Sequence, residues 1–184
     1  MGSSIEKDHD FFKEGVEYHN KGNFKKAIEM YKKAMETYGL DKKTLVLLGN
    51  AYYSSSEFEK AEDSYKQALS LDPNYPKAYF NLGIVYEETK KYNEAIKAYK
   101  KTVELDKDFG EAYANLGDVY KVVRDLDNAI LSYKKALEID RDIENAKEGL
   151  KYIPDYLIEK AEKRGLINKS DELIREGIKL EKGG

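Results

Sequence analysis

Small and apolar residues recur along this chain at the spacing of helical faces. In the clearest stretch, two groups of residues are separated by intervals of three and four, which places each group on one side of a helix. The first group is Tyr79, Leu82, Gly83 and Tyr86, and the second is Tyr92, Ala95, Ile96 and Tyr99. The pattern therefore predicts two amphipathic helices joined by a short turn.

Four positions of this pattern recur every 34 residues without an insertion. They are Gly15, Gly49, Gly83 and Gly117; Tyr18, Tyr52, Tyr86 and Tyr120; Ala27, Ala61, Ala95 and Ala129; and Tyr31, Tyr65, Tyr99 and Tyr133. A fixed period predicts a tandem array of one helix-turn-helix unit. Glycine and alanine are expected where helices approach closely. A buried tyrosine hydroxyl needs a hydrogen-bond partner, so these rings are expected near a rim.

The residues Tyr79, Leu82, Gly83, Tyr86, Ala95 and Tyr99 resemble the signature of the tetratricopeptide repeat. The resemblance implies an all-α fold, a right-handed superhelical solenoid of helix-turn-helix repeats. The four repeats would occupy residues 8–41, 42–75, 76–109 and 110–143. Glu14 stands where the family prefers leucine, Thr102 where it prefers alanine, and only the second repeat ends with the expected proline, Pro73. Gly39 is expected to end the second helix instead.

The two ends of the chain depart from the repeat. Residues 1–7 are expected to be a disordered or artificial N-terminal extension. Residues 144–184 are predicted to form a capping helix from Glu144 to Tyr152 and two further helices, separated by a break at Pro154 and by Gly165. The last two helices could form a degenerate fifth pair, fold back into the groove, or offer an apolar face to another subunit. That face would hold Leu173, Ile174, Ile178 and Leu180.

Composition narrows the class of protein. The chain has 32 basic and 35 acidic residues, no cysteine and a formal net charge of −3. No apolar run reaches the roughly 18 residues of a membrane helix, so the membrane is not a predicted partner. The absence of cysteine is compatible with a reducing compartment, and a cytoplasmic location is expected. Nucleic acid is an unfavourable partner for a net acidic surface.

In the family that this chain resembles, one face of the first helix of each repeat lines a concave groove. Function is predicted there, because packing leaves those side chains unused. The candidate peptide-binding residues are Lys13, Lys43, Asn50, Tyr53, Lys77, Phe80, Asn81, Ile84, Glu111, Asn115, Asp118 and Lys121. The same face also carries His9, His19 and Ser54.

The asparagines are the first feature of this face. An amide offers both a donor and an acceptor, so Asn50, Asn81 and Asn115 could match the backbone of an extended peptide. We hypothesise Asn81 and Asn115 as backbone clamps. The alternative is that the asparagines only hydrate the groove.

Charge and apolar side chains are the second feature. Lysines lie on the first three repeats, whereas Glu87, Glu88, Glu111 and Asp118 lie on the last two, an arrangement that would orient a ligand with unlike ends. The alternative is an ordinary solvated face. Lys43 and Lys77 are hypothesised to select an acidic end. The predicted apolar anchors are Phe12, Val46, Phe80 and Ile84, of which Phe80 and Ile84 would form the floor.

The best-known ligand of the family is the acidic C-terminal tail of a chaperone, and this sequence does not match that mode. In the family, binding of that tail requires lysine, arginine or asparagine at five groove positions. Those positions hold Phe12, Val16, Leu47, Lys77 and Asn81, and only Lys77 fits.

Enzyme chemistry has little support in the sequence. His9 and His19 are the only histidines, and ten residues of helix would separate them by roughly 15 Å. No phosphate-binding glycine loop, nucleophile motif or metal-ligand spacing is present, so no catalytic residue, metal or cofactor is predicted. The sequence therefore predicts a non-catalytic protein-interaction scaffold that binds an extended or helical segment of a partner. The alternative is a module that self-associates through its C-terminal helices or its groove.

Overall fold

The computed structural model describes residues 10–165. Over that range the chain is helical and contains no strand. The ten helices are α1 (Phe11–Asn20), α2 (Phe24–Tyr38), α3 (Lys42–Ser54), α4 (Phe58–Leu71), α5 (Pro76–Glu88), α6 (Tyr92–Leu105), α7 (Gly110–Val122), α8 (Leu126–Ile139), α9 (Glu144–Lys151) and α10 (Asp155–Lys163). Each predicted repeat contains two of them.

Local chemistry accounts for where several helices begin. The side chains of Asp10, Asn23 and Asp41 precede α1, α2 and α3, and each accepts a hydrogen bond from the backbone N–H three residues later, at 3.0, 3.3 and 2.9 Å. These caps satisfy N–H groups that the helix itself leaves unpaired. Pro76 opens α5, where its missing N–H costs nothing.

The turn inside each pair has one conformation, which also recurs every 34 residues. Gly22, Ser56, Lys90 and Arg124 have φ values of 72°, 59°, 59° and 63°. This left-handed conformation suits glycine and costs other residues about 1–2 kcal/mol. The first turn alone has the favoured residue, so the other three are strained.

The helices divide between two compact units, one ending at Thr89 and the other beginning at Lys90. Unit 1 contains α1 to α5, and each helix packs against the next in the chain. Unit 2 contains α6 to α10. There the chain neighbours from α6 to α9 pack in succession, and α7 also packs on α9 and α8 on α10.

Gly15, Gly49 and Gly117 each lie against a repeated tyrosine ring. A methyl group added to Gly15, Gly49 or Gly117 would lie within 2.7, 2.5 and 2.6 Å of the ring of Tyr31, Tyr65 and Tyr133, respectively. Those distances are shorter than two non-bonded carbon atoms approach, so glycine is required where α1, α3 and α7 pack on α2, α4 and α8. The rings are buried, as are the alanines at the third repeated position, Ala27, Ala61, Ala95 and Ala129.

The segment after the fourth pair packs on unit 2. Gly149 of α9 faces Tyr133, and a methyl group there would lie 2.2 Å from the ring. Leu150 and Ile153 are buried, so α9 covers apolar surface of unit 2. α10 follows Pro154, and Arg164 at its end forms an ion pair with Asp127. The third predicted C-terminal helix, residues 171–182, lies outside the described residues, as does the predicted extension at residues 1–7.

Candidate functional site

In unit 1, a buried tyrosine and two asparagines form a hydrogen-bonded cluster. The hydroxyl of Tyr65 donates to Oδ1 of Asn50 at 2.7 Å, and Nδ2 of Asn81 donates to the same oxygen at 2.8 Å. Tyr65 belongs to α4, Asn50 to α3 and Asn81 to α5. Because one carbonyl accepts both bonds, the orientations of the two amides are fixed relative to each other.

A cavity of about 280 Å³ lies beside this cluster, and we call it the unit-1 cavity. Four helices of unit 1 contribute to it. Its lining residues are His19, Asn50, Tyr53, Ser54, Tyr65, Asn81 and Ile84. The cavity therefore combines amide, hydroxyl and imidazole groups with one branched apolar side chain.

The titratable groups of the cavity are held in their uncharged forms. Burial lowers the pKa of His19, whose Nδ1 has no hydrogen-bond partner within residues 10–165. Burial raises the pKa of Tyr65. Burial and the nearby carboxylate of Glu88 raise the pKa of Tyr53, whose hydroxyl donates to Glu88 Oε1 at 3.2 Å. At neutral pH the lining is polar but carries no charge.

The structure gathers four of the predicted residues around this cavity, namely Asn50, Tyr53, Asn81 and Ile84. The other predicted residues of unit 1 do not line it. Those are Lys13, Lys43 and Lys77, which are exposed, and Phe80, which is half-buried. His9 lies outside the described residues.

One predicted anchor is unavailable. Val46 was expected to present an apolar side chain to a ligand, but only 2% of its surface is exposed. It belongs to the core of unit 1 together with Leu45 and Leu48. The prediction was wrong because α3 is in contact with α2, α4, α1 and α5, and so buries more than one face.

The predicted residues of unit 2 have a different environment. Asp118 accepts hydrogen bonds from the Tyr133 hydroxyl at 2.7 Å and from Asn145 Nδ2 at 2.9 Å. Asn145 Nδ2 also lies 3.2 Å from Asn115 Oδ1, and Asn115 Nδ2 donates to the Tyr99 hydroxyl at 3.4 Å. Asn115 is therefore engaged at both ends of its amide, unlike Asn81. Lys121 forms an ion pair with Asp118 at 3.5 Å, and Glu111 is exposed.

Sequence reasoning did not include Tyr65 or Asn145 among the site residues. For Tyr65 the signal was present, since a buried tyrosine hydroxyl needs a partner. Asn145 lies just beyond the four regular repeats, and its contact with Asn115 follows from the packing of α9 against α7.

Metal-binding clusters and membrane-spanning helices are absent from the described residues. Among them, no group of three or more histidine or acidic side chains is placed to hold a metal ion. Within the same range, no helix has both the length and the apolar character needed to cross a bilayer.

Three family models match the sequence. A model described as a tetratricopeptide repeat matches residues 76–109 and 110–143, a second with that description matches 11–38, and a model described as a TPR repeat matches 49–90. The chain belongs to the tetratricopeptide repeat family, and the predicted all-α solenoid class is confirmed. Among curated proteins, none matches this chain.

Solved structures with a similar fold include tetratricopeptide proteins. The structure titled "Crystal structure of MamA" has a TM-score of 0.72 and 24% identity, covering 99% of this chain and 97% of that one. YrrB, titled "a TPR protein with an unusual peptide-binding site", has a TM-score of 0.66 and 23% identity over 74% of this chain and 70% of that one. The first TPR of Spaghetti (RPAP3), bound to the HSP90 peptide SRMEEVD, has a TM-score of 0.60 and 26% identity, covering 62% of this chain and 93% of its own.

Proposed function

We propose that this chain is a non-catalytic interaction module that holds an extended segment of another polypeptide at the unit-1 cavity. The observation that supports this most directly is the cavity itself. It is open to a ligand, and it brings together four residues chosen from the sequence for peptide contact. Tetratricopeptide proteins are generally interaction modules of this kind.

The hydrogen-bonding capacity left on the two asparagines supports the same proposal. Asn50 uses its carbonyl oxygen twice, and Asn81 uses its NH₂ group once. Within the described chain, Asn50 Nδ2 and Asn81 Oδ1 have no partner. The NH₂ group of Asn50 and the carbonyl oxygen of Asn81 therefore remain available, and a polypeptide carries the complementary groups. Asn115 is a weaker candidate for a clamp because its amide is already engaged at both ends.

Two similar structures bind peptides according to their titles, which makes peptide binding a reasonable activity for this fold. The ligand of this chain should differ from the acidic SRMEEVD peptide of Spaghetti. The groove positions that favour an acidic tail hold Phe12, Val16 and Leu47 here. The cavity lining also contains no lysine or arginine.

The proposal can be tested with a library of random peptides displayed on phage and selected against the whole chain. Affinities of selected peptides would be measured by calorimetry for the wild type, for Asn81→Ala, and for Asn93→Ala, which changes an exposed asparagine of α6. We expect Asn81→Ala to weaken binding by about 1–3 kcal/mol. Asn93→Ala should bind like the wild type. Failure to select any binder, or equal affinities for all three proteins, would contradict the proposal.

Self-association is a second candidate function, supported by apolar surface on unit 2. Val122 and Val123, where α7 ends, and Tyr152, where α9 ends, are 51%, 40% and 68% exposed. Those two helices pack together. Light scattering over a concentration series would test this candidate, since a constant monomer mass would eliminate it.

We also propose a cytoplasmic location, because a chain without cysteine suits a reducing compartment.

A further inference from the structure

We infer that the unit-1 cavity receives the side-chain carboxamide of a glutamine or asparagine in the bound polypeptide. This inference rests on the proposed function and adds the chemical group that the cavity recognises.

The first support is the pairing of unused hydrogen-bonding groups. Asn50 Oδ1 is occupied by Tyr65 and Asn81, so the Asn50 amide can offer the cavity only its NH₂ group as a strong donor. Asn81 donates from its NH₂ group to Asn50 and retains its carbonyl oxygen as an acceptor. A carboxamide has one carbonyl oxygen and one NH₂ group, so it can accept from Asn50 and donate to Asn81 at the same time.

The second support is the absence of charge in the lining. Of the seven lining residues, only His19 is a base, and burial disfavours its charged form. Outside the lining, Glu88 brings an acidic group to the hydroxyl of Tyr53. A carboxylate entering this cavity would lose hydration without meeting a cation. Glutamate, which has nearly the shape of glutamine, should therefore be rejected.

The third support is size and the character of one wall. The volume of about 280 Å³ far exceeds the roughly 10–15 Å³ that one water molecule requires, so the cavity has space for a side chain. Ile84 supplies apolar contact for methylene groups. A leucine side chain could also enter, but it would leave the groups of Asn50 and Asn81 unpaired, which is costly where water is excluded.

The test begins with the peptides selected on phage against the whole chain. We expect glutamine or asparagine to be enriched at one peptide position. In synthetic peptides, replacing that residue by glutamate or by leucine should weaken binding by about tenfold or more, because a site built for hydrogen bonds discriminates strongly against a ligand that lacks them. Asn81→Leu in the protein should abolish the preference for glutamine over leucine, whereas the exposed-site control Asn93→Leu should retain it.

Each outcome decides between the two proposals. Selected peptides that lack a preferred carboxamide position, or that tolerate leucine there, would overturn the inference and leave the interaction function standing. A library that yields no binder would overturn both. If Asn81→Leu fails to fold by circular dichroism, the peptide substitutions still decide, since they use the unchanged protein.

Discussion

Removing the hydroxyl group from Tyr31 or from Tyr65, which share one repeat position, should change the free energy of unfolding in opposite directions. Tyr65 is 2% exposed and donates to Asn50. Tyr31 is 0% exposed, and its hydroxyl has no partner in the described chain. The difference follows from sequence, because Val16 stands at the repeat position of Asn50 and Leu47 at that of Asn81.

The size of each change in unfolding free energy depends on whether the hydroxyl has a hydrogen bond to lose. A buried hydroxyl without a hydrogen bond costs about 1–3 kcal/mol in protein mutational data. Tyr31→Phe removes that group and keeps the ring, so the free energy of unfolding should rise by about 1 kcal/mol or more. Burial also raises the pKa of Tyr31 to about 12, in keeping with its dry surroundings. Tyr65→Phe loses a satisfied bond, which is worth about 0.5–1.5 kcal/mol net, so the free energy of unfolding should fall.

The assay is urea unfolding followed by far-ultraviolet circular dichroism, with the two variants and the wild type measured side by side. The expected order of midpoints is Tyr31→Phe above wild type and wild type above Tyr65→Phe. A Tyr31→Phe protein that is as destabilised as Tyr65→Phe would mean that the Tyr31 hydroxyl is hydrogen-bonded in solution, contrary to this prediction.

Three further predictions concern the stability of variants at residues that differ between repeats. Val16→Asn should give the Tyr31 hydroxyl a partner equivalent to Asn50 and raise the free energy of unfolding by about 0.5–1.5 kcal/mol, whereas no gain in the urea midpoint would contradict that equivalence. Arg124→Gly should stabilise the protein by up to about 1 kcal/mol, because glycine adopts the left-handed conformation without strain. Gly22→Ala, at the equivalent turn, should destabilise it. Melting temperatures of the two variants that shift in the same direction would contradict this prediction. The pKa of His19 is lowered by burial, so the unfolded chain binds its proton more readily. The stability that His19 contributes is fully present above its unfolded pKa of about 6.5 and is lost as the pH falls through the lower folded-state value. The unfolding free energy of His19→Phe should therefore fall less steeply than that of the wild type as the pH is lowered. Equal slopes for the variant and the wild type would contradict this prediction.

The repeat could be predicted from sequence because its determinants are local or strictly periodic. Helical faces depend on spacings of three and four residues, and the repeated glycines and tyrosines recur at one interval. The left-handed turn residues were not predicted. Of the four turn residues, only Gly22 is of a type that favours a positive φ. Ser56, Lys90 and Arg124 are not, so their conformation could not be predicted from residue type.

The candidate site was predictable only in part. The helical face identified Asn50, Tyr53, Asn81 and Ile84 together, because positions on successive repeats become neighbours. The use of each amide was not predictable, since it depends on which hydroxyl or amide lies within hydrogen-bond distance. Asn81 and Asn115 occupy the same repeat position and yet differ, because the partner Asn145 belongs to α9, beyond the regular repeats.

Nuclear magnetic resonance of side-chain amides would show whether the unit-1 cavity binds a polypeptide. A selected peptide would be titrated into the ¹⁵N-labelled whole chain while the NH₂ resonances of Asn50, Asn81 and Asn93 are followed. We expect saturable shifts for Asn50 and Asn81 and none for Asn93. Saturable binding by calorimetry with unshifted Asn50 and Asn81 resonances would place the ligand elsewhere and contradict the proposed function.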